Sequence, residues 1–119
     1  MTMGYQFICY PKCTTCQKAK KWLNDNGIVY NERNIKELNP SVVELEEWWG
    51  KSNLPLKKFF NTSGLVYKSM QLKEKLPTMS DEEMIAVLAT DGMLVKRPIL
   101  LGGNQVLVGF KENDWEKVK

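Results

Sequence analysis

The stretch Phe7-Ile8-Cys9-Tyr10-Pro11-Lys12-Cys13-Thr14-Thr15-Cys16 decides how this chain reads. Residues 5 to 10 are rich in aromatic and β-branched types, which predicts a short buried strand. Pro11 and Lys12 break it. From Thr14 to Asn26 the pattern turns helical, with Ala19, Trp22 and Leu23 on one face and Gly27 as its stop. Ile28 to Arg33 then reads as a second strand. The order strand, cysteine loop, helix, strand is a βαβ unit.

Cys-x-x-Cys alone is compatible with a zinc site, a redox pair or chance, and its context discriminates. Zinc would need Cys9, Cys13, Cys16 and a carboxylate, because the 119-residue chain has no His and no second Cys-x-x-Cys. A pair lying between a strand and a helix favours redox or catalytic use. Cys13 falls where the helix begins and Cys16 about one turn in. Unpaired backbone N–H groups and the helix dipole favour a thiolate there, and Lys12 adds a positive charge. Cys13, nearer the loop, reads as the exposed nucleophile and Cys16 as the resolving thiol that closes an intramolecular disulfide. Thr14 and Thr15 read first as hydroxyls capping the helical turn and second as help in holding an oxyanion. Cys9 reads as a small buried apolar residue.

Composition removes several function classes. The length suits one domain with its own core, and 43% apolar with 26% charged residues is a globular balance. The absence of His excludes any Cys–His or Ser–His pair within the chain. The net charge is only +3, and two of the 17 basic residues, Arg33 and Arg97, are Arg. So little planar guanidinium argues against direct reading of DNA bases. No segment approaches the roughly 18 apolar residues of a membrane span. The N-terminus lacks the basic and apolar regions of a secretory signal, so a cytoplasmic location with reduced thiols is expected.

Beyond the βαβ unit, Asn39-Pro40-Ser41 reads as the start of a helix that runs to Trp49 and stops at Gly50. Pro55 to Phe60 suggests a short helix, and Asn61 to Gly64 a turn. Residues 65 to 76 read as one or two helical turns closed by Pro77. Ser80 to Glu83 is a capping box for a helix ended by Asp91-Gly92. Arg97 to Leu101 reads as a strand, Gly102-Gly103-Asn104 as a hairpin turn, and Gln105 to Gly109 as the partner strand. Asn113 to Val118 fits a terminal helix.

Three segments together carry a family resemblance: residues 7 to 16 with the Lys-rich helix that follows, residues 54 to 64, and residues 91 to 99. The chain resembles the arsenate-reductase-like (ArsC) branch of thioredoxin-fold proteins, which also contains the Spx transcription regulators. The resemblance implies an α/β fold, a thioredoxin-like or glutaredoxin-like mixed sheet flanked by helices. It also implies a single domain over 1–119 with a helical insertion at approximately 38–92. Arg97-Pro98-Ile99 matches the family's Arg-Pro-Ile. This implies a cis-proline at Pro98 beside the cysteine loop, and a role for Arg97 in holding an oxyanion near Cys13. The glutathione-coupled arsenate reductases use three Arg residues. Here the other two positions fall near Asn61–Ser63 and Gln105–Val106, where no Arg stands.

The expected function is therefore thiol-dependent oxidoreduction by the Cys13–Cys16 pair rather than a dedicated arsenate site. No cofactor is expected, only an external reductant such as thioredoxin, glutathione or glutaredoxin. The alternative that the resemblance carries is an Spx-like redox-sensing regulator binding the RNA polymerase α subunit. Neither reading calls for direct contact with nucleic acid or membrane.

Overall fold

The structure, a computed structural model, describes residues 4–103 and 105–118. The chain divides into two compact units: Met1–Asn34 with Arg97–Lys119, and Ile35–Lys96.

The first unit holds β1 (Tyr5–Cys9), α1 (Thr14–Asp25), β2 (Tyr30–Asn34), β3 (Ile99–Gly102), β4 (Gln105–Val108) and α6 (Glu112–Trp115), the last followed by a 3-10 turn, Glu116–Val118. The strands form one mixed sheet in the order β2-β1-β3-β4. β1 runs parallel to β2 and antiparallel to β3. The parallel pair is what a helical crossover demands. β3 and β4 are antiparallel neighbours; Asn104 of the expected hairpin turn lies outside the described residues. β3 begins at Ile99 and not at Arg97, because Pro98 has no N–H to give the ladder.

Alternation along β1 puts Phe7 and Cys9 on one face. That face is covered by Cys16, Ala19 and Leu23 of α1 and by Trp115 and Val118 of the terminal segment, with Leu100 of β3 in the same cluster. Trp115 is fully buried, and its indole N–H donates to the Gly109 carbonyl at 3.1 Å. Its ring meets Phe7, Trp22 and Phe110 edge to face, the arrangement that the aromatic quadrupole favours.

α1 closes with a Schellman motif. Gly27 sits at φ +65, its N–H reaches the Asn24 carbonyl, and the Ile28 N–H reaches Leu23. Ile28 is thereby used by the helix end, and the second strand starts at Tyr30 rather than Ile28.

The second unit is helical: α2 (Val42–Ser52), α3 (Leu65–Ser69), α4 (Leu72–Lys75) and α5 (Asp81–Leu88), linked by 3-10 turns at Leu56–Phe59, Leu76–Thr78 and Gly92–Leu94. α2 starts later than Pro40 and ends later than Gly50. A capping box between Ser41 and Glu44 sets its start. Gly50 is carried inside the helix, and Asn53, in the left-handed region at φ 59, ends it. The Ser80–Glu83 capping box opens α5. That helix stops at Leu88, and Asp91 instead accepts from the Met93 N–H to open the next turn. Pro77 is accommodated within a 3-10 turn, at a position whose N–H is not needed. Among the described residues no helix is long and apolar enough to cross a membrane.

Candidate active site: a thiol cluster at the start of the first helix

Cys13 is the N-cap residue of α1, with φ −87 and ψ 122. Its N–H donates to the Tyr10 carbonyl at 3.0 Å, and its own carbonyl accepts the first helical bond from Gln17. The Gln17 side chain also donates to the Pro11 carbonyl at 2.9 Å and fastens the loop to the helix. Thr14 and Thr15 are the first two helical residues and are exposed. Neither is the cap, which corrects the first reading of their hydroxyls. The cap position is taken by the cysteine itself, so the free N–H groups of the first turn surround Cys13. Lys12 lies exposed on the same loop.

The two motif cysteines occupy different environments. Cys13 is half-buried, whereas Cys16, the third residue of α1, is 2% exposed and packs into the core. The Cys16 sulfur accepts a hydrogen bond from the Tyr10 N–H at 3.3 Å. Its thiol is pushed well above the ordinary range, first by the hydrogen bond it donates to Cys9 and second by burial; the Tyr10 N–H and Cys13 oppose this. All three cysteines are present as thiols.

Cys9 is buried, as its sequence reading expected, and the structure adds its neighbours. It is 2% exposed, and its sulfur lies against Cys16. The hydrogen bond from Cys16 holds the Cys9 thiol below its ordinary value, against burial and the Glu32 carboxylate. Strand register explains the placement. Phe7 pairs with Glu32 in the parallel ladder, so Glu32 shares the face of Phe7 and Cys9. On the opposing helix, Cys16 and Lys20 are four residues apart and therefore neighbours on one face. Lys20 closes a 2.8 Å ion pair with Glu32. The only signal in the sequence was period-2 alternation from Phe7 to Cys9.

Arg97 also comes to this loop. Its guanidinium carbon is 5.4 Å from the centroid of the Tyr10 ring, three residues before Cys13. The Arg97–Pro98 bond is cis; Pro98 is buried, and its carbonyl accepts from the Gly109 N–H at 2.8 Å. Among the described residues, no three His, Cys, Asp or Glu side chains are grouped to hold a metal ion.

A parallel strand–helix–strand start, an antiparallel hairpin after an X-Pro bond, and thiols at the first helix define a thioredoxin-like α/β protein. The chain belongs to the ArsC family, whose model matches residues 8–118. It is 53% identical over 115 residues to the uncharacterized protein YusI of Bacillus subtilis, covering 97% of this chain and 98% of that one. The crystal structure of an ArsC-family-related protein from Bacteroides fragilis superposes with a TM-score of 0.97 at 57% identity, over 100% of both chains. The crystal structure of a possible arsenate reductase from Streptococcus mutans gives 0.87 at 39% identity, over 97% of this chain and 99% of that one.

Proposed function

We propose that the protein is a thiol–disulfide oxidoreductase working through Cys13 and Cys16. The observation that carries this reading is the asymmetry of the pair: Cys13 half-buried at the helix cap, Cys16 buried behind it and held protonated. Cys13 as thiolate attacks one sulfur of a substrate disulfide. A mixed disulfide forms and the first substrate thiolate leaves. Cys16 then attacks Cys13 Sγ, its proton passing to the second substrate sulfur as that leaves, and a Cys13–Cys16 disulfide remains. A thioredoxin or glutathione system returns two electrons and two protons to the pair.

Lys12 and Arg97 supply positive charge around the loop, and the first-turn N–H groups add fixed donors. One Arg and one Lys are a sparse set for a tetrahedral oxyanion, and this favours disulfides over arsenate as substrates. The test is reduction of small and protein disulfides, and of arsenate, by wild type and Cys13→Ser with each reducing system. Disulfide reduction abolished in Cys13→Ser supports the proposal. Activity that persists in Cys13→Ser overturns it. So does an inactive wild type whose binding to the RNA polymerase α subunit changes on oxidation, and that outcome supports the Spx-type regulator.

A further inference from the structure

The dithiol reading uses two of the three cysteines, yet the third is built into the same cluster. Cys9 and Cys16 belong to one buried core group, with Cys13 packed against it. The Tyr10 N–H, on the residue after Cys9, is 3.3 Å from Cys16 Sγ. Strand β1 and helix α1 thus bring the two thiols together in one core cluster, and Glu32 lies on the same sheet face as Cys9.

We propose that Cys9 is a working third thiol of this site, which exchanges with the Cys13–Cys16 disulfide to form a buried Cys9–Cys16 disulfide and release Cys13. The inference rests on the reading of Cys13 and Cys16 as a redox pair. In the exchange, Cys9 Sγ attacks Cys16 Sγ. The Cys13–Cys16 bond breaks, the Cys9–Cys16 bond forms, and Cys13 leaves as a thiolate at the helix cap. The proton of Cys9 passes to the Glu32 carboxylate, which is partly exposed and returns it to solvent. No electrons are gained or lost. The charged and titratable groups facing Cys9 are Cys16 and Lys20 from α1 and Glu32 from β2.

The product has a definite property. Both of its sulfurs belong to residues that are 2% exposed, so external thiols reach it only through Cys13. The protein then holds one disulfide in a protected place while its nucleophile is free again.

The sequence makes the test direct, because Lys12 separates Cys9 from Cys13 and Cys16, and Lys18 follows. After tryptic cleavage, a Cys13–Cys16 disulfide lies within the peptide 13–18. A Cys9–Cys16 disulfide joins that peptide to the one ending at Lys12. Wild type, Cys9→Ser and Cys13→Ser are oxidised with hydroxyethyl disulfide and, separately, with diamide, quenched in acid, alkylated and mapped. Thermal midpoints confirm that each variant is folded.

The joined peptide pair is expected in wild type and is absent from Cys9→Ser, which closes only the internal disulfide, and from Cys13→Ser, which lacks the thiol that starts the exchange. Glu32→Gln is expected to slow appearance of the joined pair by roughly tenfold or more relative to internal closure. If Cys9→Ser closes its internal disulfide while wild type never yields the joined pair, the third-thiol proposal is overturned and the dithiol reading stands. If Cys9→Ser cannot close the internal disulfide, the dithiol reading falls, and the exchange with it.

Discussion

The guanidinium of Arg97 lies over the ring of Tyr10, 5.4 Å from its centroid, and so a residue 84 positions after Cys13 in the chain is held at the cysteine loop. Such a stack contributes about 0.5–1 kcal/mol when exposed and about 2 when desolvated, and it orients the planar donors of the cation. Lys keeps the charge but loses the fork. Arg97→Lys should therefore lower kcat/KM for a negatively charged disulfide such as oxidised glutathione by roughly tenfold, a charged hydrogen bond being worth about 1.5–3 kcal/mol. The neutral hydroxyethyl disulfide should be nearly unaffected. Equal losses on both substrates would show that Arg97 does not meet the substrate's charge.

Cys16 makes stability depend on alkaline pH. Its folded-state thiol is raised above its ordinary value of 9.0, by the hydrogen bond to Cys9 and by burial. Below pH 9 the thiol is protonated in both folded and unfolded states, and the folded protein's advantage is complete. Above it, the unfolded chain loses the proton and the folded chain keeps it, so unfolding is favoured as pH rises. From this group alone the loss is about 1.4 kcal/mol by pH 10; the lowered Cys9 thiol acts in the opposite direction. With Cys9 replaced by alanine to remove that opposing group, urea midpoints should fall further between pH 8 and pH 10 in Cys9→Ala than in the Cys9→Ala/Cys16→Ala double variant, because burial still raises Cys16. An equal fall in the two would contradict a raised Cys16 thiol.

Trp115 is expected to be the largest single contributor to the packing of the first unit. It is fully buried, its indole N–H is satisfied by Gly109, and three aromatic rings meet it edge to face. Trp115→Ala should cost about 3–5 kcal/mol, and Trp115→Phe clearly less. Equilibrium denaturation measures both. A loss under 1 kcal/mol for the alanine variant would mean that the terminal segment does not close the core.

The two capping boxes of the helical unit should behave alike. Ser41 Oγ accepts from the Glu44 N–H at 3.1 Å, and Ser80 Oγ accepts from the Glu83 N–H at 3.2 Å, with each glutamate bonded back to the serine N–H. Ser41→Ala and Ser80→Ala should each lower stability by about 1 kcal/mol. Glycine at either position should cost only a few tenths. Denaturant titrations that rank Gly below Ala would count against the cap geometry.

Local chemistry made much of the fold legible. Aromatic and β-branched residues named β1, a helical stripe of Ala19, Trp22 and Leu23 named α1, Gly27 named its end, and Ser80 with Glu83 named the start of α5. The helical unit was less legible at its edges. The Ser41–Glu44 box and the left-handed Asn53, rather than the more conspicuous Pro40 and Gly50, set the limits of α2. Proline and glycine mark where a helix is disfavoured, but a satisfied cap and a favourable closing residue decide where it stops.

The sequence by itself determined that two cysteines sit at the start of a helix after a buried strand, because a strand, a loop and a helix are each specified by neighbours a few residues away. It determined too that no histidine assists them. Only the tertiary structure decided that Cys9 faces Cys16, that Glu32 and Lys20 close the far side of that contact, and that Arg97 rests on Tyr10. Those relations depend on the parallel register of β1 with β2, the rotation of α1 over the sheet, and the return of the chain at Arg97. Register and rotation are fixed by packing summed over the whole core, and no short stretch of residues encodes them.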